Sequence, residues 1–155
     1  MHLTTTDADP AMVKAAQRRL ARLPTAQARR ADATRLPFND QSFDMVLSFL
    51  MLHHVIEWEH AVTEAARVLR PGGSFVGYDL LASRLASLVH VADRSAHRLI
   101  EPATFEPVLA QAGLGPLRVR VSFGGRVLRF IAQKPDIVQD DPGSDKDAPA
   151  SKSHG

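Results

Sequence analysis

Asp7 and Asp9 flank Ala8 in the stretch "HLTTTDADPAMVKAAQRRL", where a short Thr-containing run gives way to two carboxylates and a proline. A carboxylate just beyond a strand can accept both hydroxyls of a ribose. Asp9 followed by Pro10 fits a helix N-cap with proline in the first helical position, and Asp7 is harder to explain by capping. Asp32-Ala33 precedes "TRLPF"; its carboxylate can accept from an adenine amino group, or simply close a local turn. "SFLMLHH" (Ser48 to His54) brings His53 and His54, each able to act as a base, a metal ligand or a hydrogen-bonded wall residue. His53, Glu57 and His60 have the spacing that would share one helical face, and three such ligands can hold zinc. Against that, no HExxH pattern is present, and Ile56 with Trp58 suggests a packed turn, so no metal is expected. Gly72-Gly73 and Gly124-Gly125 lack phosphate-loop spacing and read as a helix stop and a hairpin turn. Arg29-Arg30 is too small a basic cluster for nucleic acid.

These residues need elements to position them. His2 to Thr6 suits a strand, and Met12, Val13, Ala16 and Leu20 lie on one side of the helix that follows, which Pro24 stops. Ala26 to Ala31 is the next strand. "LPFNDQSFD" turns into "MVLSFLML" (Met45 to Leu52), a continuous apolar run that suits a strand buried on both faces. Val62, Ala65, Ala66 and Leu69 trace a helix ending at Arg70-Pro71-Gly72-Gly73, and Ser74 to Leu81 is a strand. Leu85, Leu88, Val89 and Ala92 form another helical stripe. Thr104 then suits the cap of a helix with Phe105, Val108, Leu109 and Ala112 inward and Gly113 as its stop. Leu117 to Phe123 and Arg126 to Gln133 form a hairpin across a two-residue Gly124-Gly125 link. Alternating strands and helices followed by a hairpin predict an α/β fold with a mostly parallel sheet and a C-terminal antiparallel hairpin. In such folds ligands bind at the carboxyl ends of the strands, where Asp7, Asp32, Ser48 and His53 all fall.

The bulk numbers bound the reading. At 155 residues one domain with a real core is expected, here over 1–134, with a disordered Asp/Pro/Ser/Lys-rich tail over 135–155. A net charge of +2 gives no field for polyanions. The absence of cysteine excludes disulfides and thiolate chemistry. No apolar run is long enough to span a membrane and no leader pattern follows Met1, so the expected location is the cytoplasm.

In order, "DADPAMVKAA", "ADATRLPFNDQSFDMVLSFLMLHHV" and "EAARVLRPGGSFVGYDLL" resemble the class I S-adenosylmethionine-dependent methyltransferases, specifically the type 11 and ubiquinone/menaquinone-biosynthesis-like subset. The resemblance implies a Rossmann-like sandwich that moves a methyl group from S-adenosyl-L-methionine to a small-molecule acceptor. By position it implies that Asp7 binds the ribose hydroxyls and Ala8 lies against the adenine. It places Asp32 at the adenine amino group, with the Ala33 amide nearby. Ser48 and Phe49 would line the methionine part of the cofactor. His53 is the best placed base, with His54, His90 and His97 behind it, and Ser83 to Ile100 is expected to shape acceptor choice. Asp44, Arg70, Pro71, Gly72 and Gly73 match structural positions.

The family's first strand and acidic-Gly-x-Gly loop have no counterpart in this sequence. That strand would lie between the second and fourth, so its loss is expected to split the sheet and leave two open edges. A truncated methyltransferase is the leading expectation. The alternatives are a fragment completed by a partner or by self-association through an open edge, and a non-catalytic interaction module.

Overall fold

The computed structural model describes residues 2–81 and 98–136. Within them the chain runs β1 (Leu3–Asp7), α1 (Pro10–Leu20), β2 (Ala26–Arg30), β3 (Phe43–Phe49), a 3₁₀ turn (Leu52–His54), α2 (Trp58–Val68), β4 (Leu69–Leu80), α3 (Pro102–Gln111), β5 (Gly115–Ser122) and β6 (Val127–Gln133). The helical stripe proposed over Leu85 to Ala92, together with His90 and His97, lies outside the described residues, as does the tail beyond Asp136.

The strands form two sheets. β1 and β2 pair in parallel, Leu3 opposite Ala26 and Asp7 opposite Arg30. A four-stranded sheet has the order β3-β4-β6-β5; β3 and β4 are parallel, and β6 runs antiparallel to β4 and β5. The expected parallel character therefore holds for the first four strands, and the expected split between the second strand and the next parallel pair is present. No helix among the described residues is long and apolar enough to cross a membrane.

The α1 start is local chemistry. Asp9 is the N-cap, its Oδ1 accepting from Ala11 N at 2.7 Å, with Pro10 in the first turn. Burial on α1 departs from expectation: Val13 is buried, but Met12 is exposed. β1, α1 and β2 pack chiefly on one another, so only a narrow strip of the helix is covered.

The main core lies on one face of the larger sheet. Strand alternation sends Phe75, Gly77 and Asp79 of β4 and Leu128, Phe130 and Ala132 of β6 to that face. Val62, Ala65 and Ala66 of α2 and Phe105 and Leu109 of α3 cover it. Phe105 joins the layers, its ring 4.8 Å from Phe130 and 5.9 Å from Trp58. Gly77 is required between the strands: a Cβ there would stand 2.1 Å from Ser48 O and 2.7 Å from the Phe130 ring.

Four expectations need correction. β3 is not buried on both faces: Met45, Leu47 and Phe49 are about half exposed, because β3 is an edge strand and no described helix covers that side. Arg70 to Gly73 is not a free turn but a distorted part of β4, the six residues from Leu69 to Ser74 lying beside the three from Phe43 to Met45 of β3. Gly72 and Gly73 there exchange backbone bonds with Lys134. The α3 cap is not Thr104; Glu101 is the N-cap and Thr104 Oγ1 donates back to Glu101 O at 2.9 Å. Gly113 does end the helix region, at φ +76°, with Leu114 N donating to Leu109 O. The hairpin turn spans Phe123 to Arg126 rather than two glycines, closed by Arg126 N to Ser122 O, with Phe123, Gly124 and Gly125 all at positive φ. On β5 the alternating Leu117, Val119 and Val121 stay largely exposed at the sheet margin, with Val119 alone half-buried.

Candidate functional site

Asp7 is the last residue of β1, Ser48 and Phe49 are the last two of β3, and Ala8, Asp32, Ala33 and His53 follow the carboxyl ends of parallel strands. Asp7 closes β1. Its Oδ1 accepts from Asp9 N at 2.8 Å, an Asx turn that leaves Oδ2 without a hydrogen bond and facing solvent. Ala8 O accepts from Arg30 Nε at 3.1 Å, so β2 fixes the backbone just past the carboxylate. Asp32 follows β2, the strand beside β1. Its Oδ1 accepts from both the amide and the hydroxyl of Thr34, at 2.9 and 2.8 Å. Those two donors hold the Asp32 carboxyl below the usual range, so it stays anionic near neutrality. Ala33 is half-buried against the core.

Ser48 and Phe49 point to opposite faces, as consecutive strand residues must. Ser48 lies on the core face beside Gly77, 4% exposed, and its Oγ is a buried hydroxyl with no hydrogen-bond partner among the described residues. Phe49 lies on the open face, its ring stacked on Tyr78 at 5.1 Å.

His53 is 2% exposed and Asp79 fully buried. Their side chains meet at 2.5 Å, Nδ1 to Oδ1. Asp79 is held in turn by three backbone amides: Oδ2 accepts from Met51 at 3.0 Å and Leu52 at 2.8 Å, and Oδ1 from Leu80 at 2.7 Å. These bonds set the 3₁₀ turn against the end of β4. The His54 ring lies 4.0 Å from that of His53, and Arg98 N donates to His53 O. With this carboxylate accepting, the donor is the ring's Nδ1–H. Sequence reasoning passed over Asp79; its signal is an acidic residue inside the otherwise apolar "SFVGYDLL".

The three residues considered for zinc diverge. His53 is committed to Asp79, whereas Glu57 and His60 are exposed and 3.9 Å apart, and the segment between the 3₁₀ turn and α2 is not helical. No group of three metal-ligating side chains gathers among the described residues. A shallow hollow between α1 and β2, lined by Gln17, Leu20 and Pro24, is remote from Asp7 and from the His53–Asp79 pair.

The "TRLPFND" segment that carries the chain from Asp32 to β3 is fastened by one arginine. Arg67 of α2 donates to both oxygens of Glu64, to Leu36 O, to Phe38 O and to Asp40, and Leu36 N donates to Glu64 Oε2 at 2.7 Å. The guanidinium holds the Glu64 carboxyl below its ordinary range, and the two carboxylates push the Arg67 value further up. Arg70 similarly ties Asp44 and Ser42 at the start of β3. The quoted motif thus has a structural cause: it anchors the loop that presents Asp32.

Residues 1–77 match the family model described as a methyltransferase domain. The chain is 36% identical over 110 residues to a demethylmenaquinone methyltransferase of Clavibacter sepedonicus, covering 61% of this chain and 45% of that protein. It is 38% identical over 93 residues to the 27-O-demethylrifamycin SV methyltransferase of Amycolatopsis mediterranei, covering 56% and 34%. The chain therefore spans less than half the length of these relatives. Among solved structures, the YcgJ protein of Bacillus subtilis superposes with a TM-score of 0.76 at 17% identity, over 87% of this chain and 83% of that one. A geranyl diphosphate methyltransferase in complex with S-adenosylmethionine gives 0.75 at 14% identity, over 86% and 68%. At such identities these two establish the Rossmann-like methyltransferase fold.

Proposed function

We propose that this chain, which belongs to the class I, type 11 S-adenosylmethionine-dependent methyltransferases, contributes the cofactor-binding and proton-accepting groups of a methyl transfer to a small-molecule acceptor in the cytoplasm. The observation that carries the reading is the set of polar groups at the ends of parallel strands: Asp7 on β1, Asp32 past β2, and the pair of His53 past β3 with Asp79 near the end of β4. S-adenosylmethionine, when bound, supplies an electrophilic methyl group on its sulfonium.

The chain's own residues fit that group. Asp7 keeps one carboxylate oxygen available for ribose hydroxyls, and Arg30 steadies Ala8 beside it. Asp32, held anionic by Thr34, accepts from the adenine amino group, with Ala33 offering its amide. Ser48 Oγ is a buried hydroxyl with no partner among the described residues, and a buried group of that kind favours a ligand that completes it. Phe49 gives an apolar wall. His53 receives a proton from the acceptor. The domain is assigned to 1–134.

The uncovered edge of β3, with Met45, Leu47 and Phe49 half exposed, supports a second reading. A strand edge of that kind recruits a partner or a second copy, so a partner-completed or non-catalytic module is the alternative.

Calorimetric titration with S-adenosylhomocysteine tests the first reading. Weak binding is expected for the chain as it stands and tighter binding when a strand and an acidic-Gly-x-Gly loop are fused before β1, both lost in Asp7→Ala. Absence of heat from both forms would overturn the assignment, and a stable complex with a second protein in place of cofactor binding would favour the alternative.

A further inference from the structure

The β5–β6 hairpin carries two costs that the described fold does not offset. The first is at its tip. Phe123 is 69% exposed, and its backbone sits at φ +53°. A bulky residue in that region is strained, and glycine would relieve both the strain and the exposed ring. Leu117 and Val121 of β5 are exposed as well. The second cost is electrostatic. Arg120 and Arg129 stand directly opposite each other, on the face of the sheet away from Phe130, with Arg118 two residues along. Like charges so placed repel. No ion pair among the described residues neutralises Arg118, Arg120, Arg126 or Arg129, and no acidic residue occurs from Pro107 to Pro135. Arg129 Cζ lies 5.5 Å from the centroid of the Phe123 ring, so the positive charge begins immediately behind the aromatic tip. The tip is firmly mounted: Arg126 N donates to Ser122 O, and Leu81 N donates to Arg126 O.

We propose that this hairpin docks on an anionic lipid bilayer, Phe123 entering between the headgroups and Arg120, Arg126 and Arg129 meeting lipid phosphates. Arg120 precedes Phe123 by three residues on a strand that rises about 3.4 Å per residue, which sets it on the order of 10 Å behind the tip. A ring that enters the acyl boundary by about 5–10 Å leaves a cation at that height among the phosphates. The convex tip offers no groove to a peptide, and the aliphatic Leu117 and Val121 give bases no plane to stack on; both suit the acyl boundary. Val127, at the start of β6, lies opposite Leu80 at the end of β4. Docking therefore turns the carboxyl ends of β3 and β4 toward the membrane. This inference does not rest on methyl transfer, and its test reads no cofactor.

Vesicle flotation of the full chain tests it. The chain is expected to float with phosphatidylcholine vesicles that contain phosphatidylglycerol and not with phosphatidylcholine alone, and binding should weaken as salt rises. Joint replacement Arg118→Gln and Arg120→Gln should lower the partition coefficient about 25-fold, at about fivefold per arginine. Phe123→Gly should lower it about tenfold or more. Its melting temperature should hold or rise, because glycine accepts the backbone angle without strain. No flotation with the anionic vesicles, or equal flotation with the neutral ones, would overturn the proposal. So would a folded Phe123→Gly that binds vesicles like wild type, or one whose melting temperature falls with no loss of binding, since the ring would then serve the fold alone. Inorganic polyphosphate distinguishes a bilayer from any soluble polyanion. Tight polyphosphate binding that survives Phe123→Gly, without flotation, would mark a polyanion site and overturn the membrane assignment.

Discussion

Replacing Gly77 with alanine tests the packing that sets β3 against β4. The added Cβ would stand 2.1 Å from Ser48 O and 2.7 Å from Phe130 Cζ. The phenyl ring can shift by a few tenths of an ångström at modest cost, but the carbonyl cannot, since it belongs to the strand paired residue for residue with β4. Relief requires the two strands to move apart. Overpacking a core of this kind costs about 1–3 kcal/mol, and weakening the adjoining ladder adds about 1 kcal/mol per bond lost. The expected loss is therefore about 3–4 kcal/mol. Gly115→Ala is the internal control, because its Cβ would meet only Gln133 O at 3.8 Å, an ordinary contact. Urea unfolding followed by circular dichroism should place the Gly77→Ala midpoint well below that of Gly115→Ala with similar slopes. A difference between the two under about 1 kcal/mol would refute the claim that this glycine is sterically required.

Asp79→Asn puts an amide where each carboxylate oxygen accepts two hydrogen bonds, leaving buried donors facing a donor. The loss should be about 2–4 kcal/mol, readable as a fall in melting temperature of about 2–4 °C per kcal/mol. Arg67→Ala removes the clamp on Leu36, Phe38 and Asp40, and about 2 kcal/mol of stability should go with it. The Glu64 carboxyl, held below 4.5 by Arg67, binds protons less readily folded than unfolded. Its contribution is present above pH 4.5 and lost as the pH falls through the folded value. Wild type should therefore lose stability in acid more steeply than Arg67→Ala, and equal slopes would contradict the clamp. Lys134 Nζ donates to Ala66 O and Leu69 O at the end of α2. Lys134→Met should cost about 1 kcal/mol and speed amide exchange in the last turn of that helix.

Local chemistry was readable in the sequence. Asp9-Pro10 specified the α1 start, Gly113 the end of α3, and the spacing of Val62, Ala65 and Ala66 the buried stripe of α2, with Leu69 falling in β4 instead. Each depends on residues within a turn or two. The misreadings arise where distant segments decide. The apolar run of β3 read as buried on both sides, yet burial depends on what lies beside and above a strand. Thr104 has the right type for a cap but sits after Glu101-Pro102, where the helix already begins. The bond between Asp79 and His53 crosses twenty-six positions and exists only because β4 delivers its end to the 3₁₀ turn, which no local pattern announces. The ordered motif series pointed to Asp7, Asp32 and His53 as candidates, but not to the carboxylate that His53 meets.

The self-contained packing of β1, α1 and β2 has a thermodynamic consequence. Val13 and Ala28, each 8% exposed, are the buried apolar side chains of that trio, and its elements touch the other described elements sparsely. A segment with so little burial opens as a unit at a free energy well below that of the larger sheet. Asp7 travels with it, while Asp32, at the start of the loop fastened by Arg67, stays with His53 and Asp79 on the stable body. A molecule that grips both is a cross-link as well as a substrate. At one hundred times its dissociation constant it adds about 2.7 kcal/mol to whatever state it binds. Cofactor concentration would then govern how long residues 3–30 remain closed, making occupancy and order in this half of the site the same quantity.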